Sequence, residues 1–350
     1  MRRAGAPFAL ALAALALLPA GAAASTARTE ITVLQGKGCS VSPESCVIVR
    51  MVYEAGPGEA NDVQLSRAGS SVVVRDTGAN LQAGSGCQQQ GPNQARCSPP
   101  EGPSTGIILV RGALGDAGDK LQNGSDVPTD FDGGAGDDHL IGGIGFDVLG
   151  GGPGRDRLEG AGGFDTLHDG AGGTGREPDV MDGGDGPDTV RYTRRRERVF
   201  VNLLQPEGTS GAEGEGDTLL GIEVAHGGAG PDVMRAGFDN PVEFFGRGGD
   251  DRLTGSYGAD QLYGDSGNDK INAIFGNDRV EGGKGNDRLQ GGCDRDKVYG
   301  DDGRDRIFDA DGSRDRLRGG RDRDFAEHDQ LDDLAQIETS QGAHVDACAL

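Results

Sequence analysis

Aspartate recurs at every ninth position through the second half of the chain, at Asp251, Asp260, Asp269, Asp278, Asp287, Asp296 and Asp305. Two residues after each stands an apolar side chain: Leu253, Leu262, Ile271, Val280, Leu289, Val298 and Ile307. Glycine clusters ahead of them, most fully in Gly282-Gly283-Lys284-Gly285-Asn286-Asp287-Arg288-Leu289-Gln290. A carboxylate is a hard anionic donor, and glycine allows positive φ and close backbone approach, so that peptide carbonyls can converge on one point. The chemistry open to this unit is cation binding. Oxygen donors on a compliant loop suit Ca²⁺ better than the tighter octahedral demand of Mg²⁺.

The folding balance points the same way. Ordering nine backbones costs about 1–2 kcal/mol each, whereas one buried Leu or Val returns roughly 1.5–3 kcal/mol. Apolar burial alone does not hold such a unit. If each unit supplies one turn and one short strand, two units complete a coil and residues 18 apart stack. Asp251, Asp269, Asp287 and Asp305 then line one edge, with Asp260, Asp278 and Asp296 on the other. The apolar residues ladder inside. Like charges stacked at strand spacing repel, and cations between turns convert that repulsion to attraction.

Composition agrees with a repeat and excludes an ordinary globular domain: of 350 residues, 65 are glycine, none is tryptophan, and 57 acidic side chains face 34 basic ones. An apolar residue locked to a nine-residue period rejects a disordered linker and collagen. Net charge of −23 makes nucleic acid an improbable partner. Residues 1–24 read as a secretory signal peptide: Arg2 and Arg3, an apolar run from Phe8 to Leu18, then Ala22-Ala23-Ala24. The run is too short to span a bilayer, and no later segment is apolar enough. In an exported chain, six cysteines read as disulfides, with Cys39 near Cys46, Cys87 near Cys97, and Cys293 and Cys348 left as a third pair; the connectivity stays open. No Cys-x-x-Cys or Cys/His spacing suggests zinc.

Around the repeats the pattern changes. Residues 25–112 contain short strand-like runs separated by Gly, Pro, Asn and Asp, which predicts a small disulfide-bonded β module covering the end of the stack. A first repeat block, 113–191, is regular from Gly133 to His168, where Asp138, Asp147, Asp156 and Asp165 precede Leu140, Leu149, Leu158 and Leu167; Asp188 follows later. Residues 192–226 lose the period. Strand-like Val199 to Leu204 and Thr218 to Val224 flank a Gly/Glu-rich loop, predicting a hairpin-like insertion that leaves the stack. The second block, 227–327, opens with Asp232 and Met234, and 328–350 forms a C-terminal cap.

The unit Gly-Gly-x-Gly-x-Asp-x-(apolar)-x resembles the hemolysin-type calcium-binding, or repeats-in-toxin (RTX), nonapeptide, over roughly Leu114 to Glu327. That resemblance implies an all-β fold, a parallel β-roll, with Ca²⁺ between adjacent turns held by the sixth-position aspartates and loop carbonyls. Carried over position by position, the metal ligands are Asp138, Asp147, Asp156, Asp165, Asp188, Asp232 and the series from Asp251 to Asp305. The residue before the aspartate departs to Arg at Arg155, Arg295, Arg304, Arg314 and Arg323. Strong sites are therefore expected at Gly246 to Gln290 and Gly133 to His168, and weak or empty ones after Cys293, where arginines would pair with aspartates in place of metal.

The remaining candidates carry less. His139, His168, His226, His328 and His344 show no paired ligand spacing, and His139 and His168 fall at exposed repeat positions. Arg194-Arg195-Arg196 reads as a solvated strand end rather than a site for an anionic partner. No His-Glu-x-x-His or Gly-x-Ser-x-Gly occurs, so no catalytic residue is assigned and no enzyme is expected. The reading is a secreted, non-enzymatic calcium-binding repeat protein that folds on export. The alternatives are a calcium-rigidified adhesin or matrix protein with a cell-surface or polysaccharide partner, and a polyuronate-active enzyme on a β-solenoid.

Overall fold

The computed structural model describes residues 24–34, 46–99, 107–169, 177–205, 207–309 and 311–342. Most of the expected leader, Cys39, His344 and Cys348 lie outside them. Every regular element among the described residues is a β-strand, arranged as a parallel β-solenoid of about 11 turns. No helix among them is long and apolar enough to cross a membrane.

The repeat strands are short because each nonapeptide has one inward position. Arg252–Thr254, Gln261–Tyr263, Lys270–Asn272 and Arg288–Gln290 each bury their central residue and turn the flanking two outward, as alternation on a strand requires. Successive strands lie in opposite sheets. Arg252 pairs with Lys270, Lys270 with Arg288 and Arg288 with Arg306, while Gln261 pairs with Arg279 and Arg279 with Lys297 on the other side. Two units thus make one coil. The opposite strand serves as the crossover that a parallel pair needs, and the core is the ladder of central apolar residues.

One sheet of 15 strands runs along the whole stack, and facing it are two sheets of 9 strands each. The N-terminal strands extend both sides: Cys46–Glu54 pairs in parallel with Ile107–Gly115, and Asp62–Ala68 with Lys120–Asn123. Beyond them Ser25–Leu34 and Ser71–Asp76 add antiparallel partners. The cap is therefore continuous with the roll. A disulfide joins Cys87 to Cys97 across adjacent strands. Cys293 is also disulfide-bonded; its expected pairing with Cys348 falls outside the described residues.

The aperiodic segment differs from expectation. It holds a short antiparallel pairing of Val199–Asn202 with Gly211–Ala212, yet its strands do not leave the stack. Val199–Asn202 pairs in parallel with Val233–Arg235 and opens the second 9-stranded sheet. Thr218–Leu220 pairs with Val180–Asp182 and closes the first. The reason is burial: Val199, Val201 and Leu219 point into the core. Arg195 corrects a second expectation. It is not solvated but buried, its Nε 2.5 Å from Asp169 and its second guanidinium nitrogen 2.5 Å from Glu215. Next to it the buried Tyr192 hydroxyl donates to Asp217 at 2.9 Å. Arg194 and Arg196 are exposed.

Candidate metal centre

Each sixth-position aspartate sits at the end of a glycine turn, just before its strand, and is buried. One oxygen stitches the coils together. Asp251 N–H donates to Asp269 Oδ1, Asp269 to Asp287 and Asp287 to Asp305, at 2.8–2.9 Å. Along the other edge Asp260 donates to Asp278 and Asp278 to Asp296. The first block repeats this with Asp138 to Asp156 and Asp147 to Asp165.

The second oxygen has no donor. Oδ2 of Asp138, Asp156, Asp165, Asp188, Asp251, Asp269, Asp278, Asp287, Asp296 and Asp305 is buried without a hydrogen-bond partner. The turn's first glycine leaves room beside it: a Cβ on Gly264 would lie 2.4 Å from Asp269 Oδ2 and 2.5 Å from the carbonyl oxygen of Gly282, one coil on. Thus carboxylate and carbonyl oxygens from successive turns line one cradle. A buried anionic oxygen is costly unless its charge is met, and no Lys or Arg among the described residues makes an ion pair with these aspartates. Withdrawal from water, reinforced by neighbouring carboxylates, pushes Asp269 and Asp287 up to about 7 and Asp251 and Asp278 to about 8. An all-oxygen, anionic cradle of this kind fits a hard divalent cation such as Ca²⁺.

Three of the sequence-assigned aspartates differ. Asp147, Asp232 and Asp260 turn Oδ2 onto the backbone N–H of Gly143, Gly228 and Ser256 in their own loops. Each heads a ladder: the coil above presents Thr129, Val199 or Val242 where an aspartate would stand. In these three the side chain closes on its own turn, whereas Asp119, with Asn61 above it, keeps Oδ2 open.

Other residues share the open arrangement. Asp119, Asp315 and Asp324 also have an orphaned Oδ2, so the ladder continues past Cys293 through Asp296 to Asp315 and Asp305 to Asp324. Asp179 and Asp217 extend the first block, Asp156 donating to Asp179 and Asp179 to Asp217. Their separations of 23 and 38 residues hide them from a fixed period. Asp309, with both oxygens buried and unpartnered, stands where most units have their first glycine; that departure was the readable signal. The arginine substitution expected for metal is not what forms. Among the described residues, only Arg155 of the five pairs with an aspartate, the exposed Asp137 at 3.2 Å. The fifth position is an outer ladder, in which Asn268 N–H donates to Asp250, Asn286 to Asn268 and Arg304 to Asn286. His139 and His168 are half-buried rather than exposed; His139 contacts Glu159 at 2.9 Å.

The family model for RTX calcium-binding nonapeptide repeats (4 copies) matches residues 132–167, 150–172, 217–240, 244–273 and 274–307. No curated protein matches the chain. Among solved structures, the extracellular lipase LipA from Serratia marcescens is 21% identical over 53% of this chain, with a TM-score of 0.20. The match spans only 33% of the lipase.

Proposed function

From the premise that this chain carries RTX calcium-binding nonapeptides on a parallel β-solenoid, we propose that it is a secreted, non-enzymatic calcium-binding protein whose acidic repeats order when Ca²⁺ reaches them outside the cell. One observation carries the reading: successive coils present buried carboxylate oxygens that have neither donor nor counter-charge. Asp138, Asp156, Asp165, Asp188, Asp251, Asp269, Asp278, Asp287, Asp296 and Asp305, with the loop carbonyls, would hold the ions. Bound calcium supplies the positive charge that these oxygens lack. The residues do the rest: Oδ1 fixes the register of adjacent coils, glycine admits the close approach, and the central Leu, Val or Ile seals the core. Asp147, Asp232 and Asp260, closed on their own loops, would contribute least.

Extracellular calcium modules commonly bind at about 10⁻⁴–10⁻³ M, so such a chain would stay open where calcium is scarce and close where it is abundant. Circular dichroism and calorimetry on the full chain test this. Strand content should fall on chelation and return on adding calcium, with several ions bound per chain. Strand content indifferent to chelation would reject it.

A further inference from the structure

We propose a divalent-cation site built from three side-chain carboxylates, Asp296, Asp309 and Asp315, near the C-terminal end of the stack. Each offers an oxygen, and the three lie within 4.8 Å of one another. Two opposed ligands of Ca²⁺, at about 2.3–2.6 Å each, span this distance. All three side chains are buried, and Asp309 is only 3% exposed. Neither oxygen of Asp309 has a hydrogen-bond partner, nor does Oδ2 of Asp296 or Asp315. The charges that act most strongly on Asp309 are those of Asp315, Asp296, Asp311 and Asp332.

The position of Asp309 gives the site its character. The strand Arg306–Asp309 ends where most coils begin a glycine turn. A Cβ on Gly282 would meet Asp287 Oδ2 and the carbonyl of Gly300, the first glycine one coil on. On Gly291 it would meet Asp296 Oδ2 and, at 2.6 Å, the carboxylate of Asp309. Asp309 thus brings a third carboxylate to a cradle that at Gly255, Gly264 and Gly282 holds a backbone carbonyl instead. Burying three carboxylates without a counter-charge is strongly unfavourable, and more ligand charge means tighter calcium binding. This site therefore takes calcium before the ordinary turns do. It shares Asp296 with the proposed function and rests on that reading there, but it turns on Asp309, so Asp309 variants separate the two.

Calcium titration of the full chain, by calorimetry with native mass spectrometry, should show a first, tight phase of one ion. Asp309→Asn and Asp309→Gly, the second restoring the glycine of the other turns, should each weaken that phase at least tenfold. Asp287→Asn should leave it intact and remove an ion from the weaker phase. A tight phase retained in either Asp309 variant, or missing from the wild type, overturns the proposal. One tight ion lost in Asp309→Asn, with no weaker binding in any variant, would uphold it while removing the proposed function. A wild-type crystal grown in calcium gives a readout independent of variants: an anomalous peak among the three carboxylates supports the site, and featureless density there refutes it.

Discussion

At Asp278 the two carboxylate oxygens have separate jobs. Oδ1 accepts the Asp260 N–H at 2.8 Å and holds the coils in register, while Oδ2 is buried with no donor. Asp278→Asn keeps an acceptor for the first job and removes the charge needed for the second. Its effect should change sign with conditions. In calcium the variant should lose about 1–3 kcal/mol; in chelator it should be as stable as the wild type or more so, because an uncompensated buried charge is gone. Thermal melts in the two buffers check this, and destabilisation of equal size in both would refute a cation role for Oδ2. Position six is plain from spacing alone. Whether its second oxygen is open is not: Asp260 and Asp278 hold the same place in the period, yet Asp260 turns Oδ2 onto the Ser256 N–H while Asp278 leaves its own open.

Single strands are readable because each repeats the same local pattern, an apolar residue two places after an aspartate. The segment between the blocks is harder, since its partners are chosen at long range. Val199–Asn202 and Thr218–Leu220 do form, but they belong to different sheets, one opening and the other closing a face of the roll. Arg195 clamps Asp169 and Glu215 at this break. A buried pair that loses one member leaves an uncompensated charge, at a cost of about 3–5 kcal/mol. Arg195→Met should therefore destabilise the calcium-loaded protein by that amount, and Asp169→Asn with Glu215→Gln in the same chain should recover part of it. Chemical denaturation measures both; a loss under 1 kcal/mol would show the clamp to be dispensable.

The whole roll should respond to pH through its carboxylates acting together. With burial raising Asp156 to about 6, Asp138 to about 7 and Asp251 to about 8, the folded state retains protons that the unfolded chain gives up near pH 4. In chelator, stability is thus fully present below about pH 4 and is lost progressively as pH rises to about 8. Circular dichroism in chelator should show strand signal growing on acidification across that window, and calcium should hold it at neutral pH; a flat chelator profile would contradict the burial of these groups. What the sequence alone determined is whatever repeats locally: the nine-residue period, the inward apolar ladder, the glycine turn and the oxygen-rich character of the site. The tertiary structure decided which oxygens are left open, where the ladders begin, and that Asp309 joins Asp296 and Asp315. The reason is physical: a carboxylate's partner is supplied by the adjacent coil, 18 to 38 residues away, and the period along one coil does not say what the next coil presents.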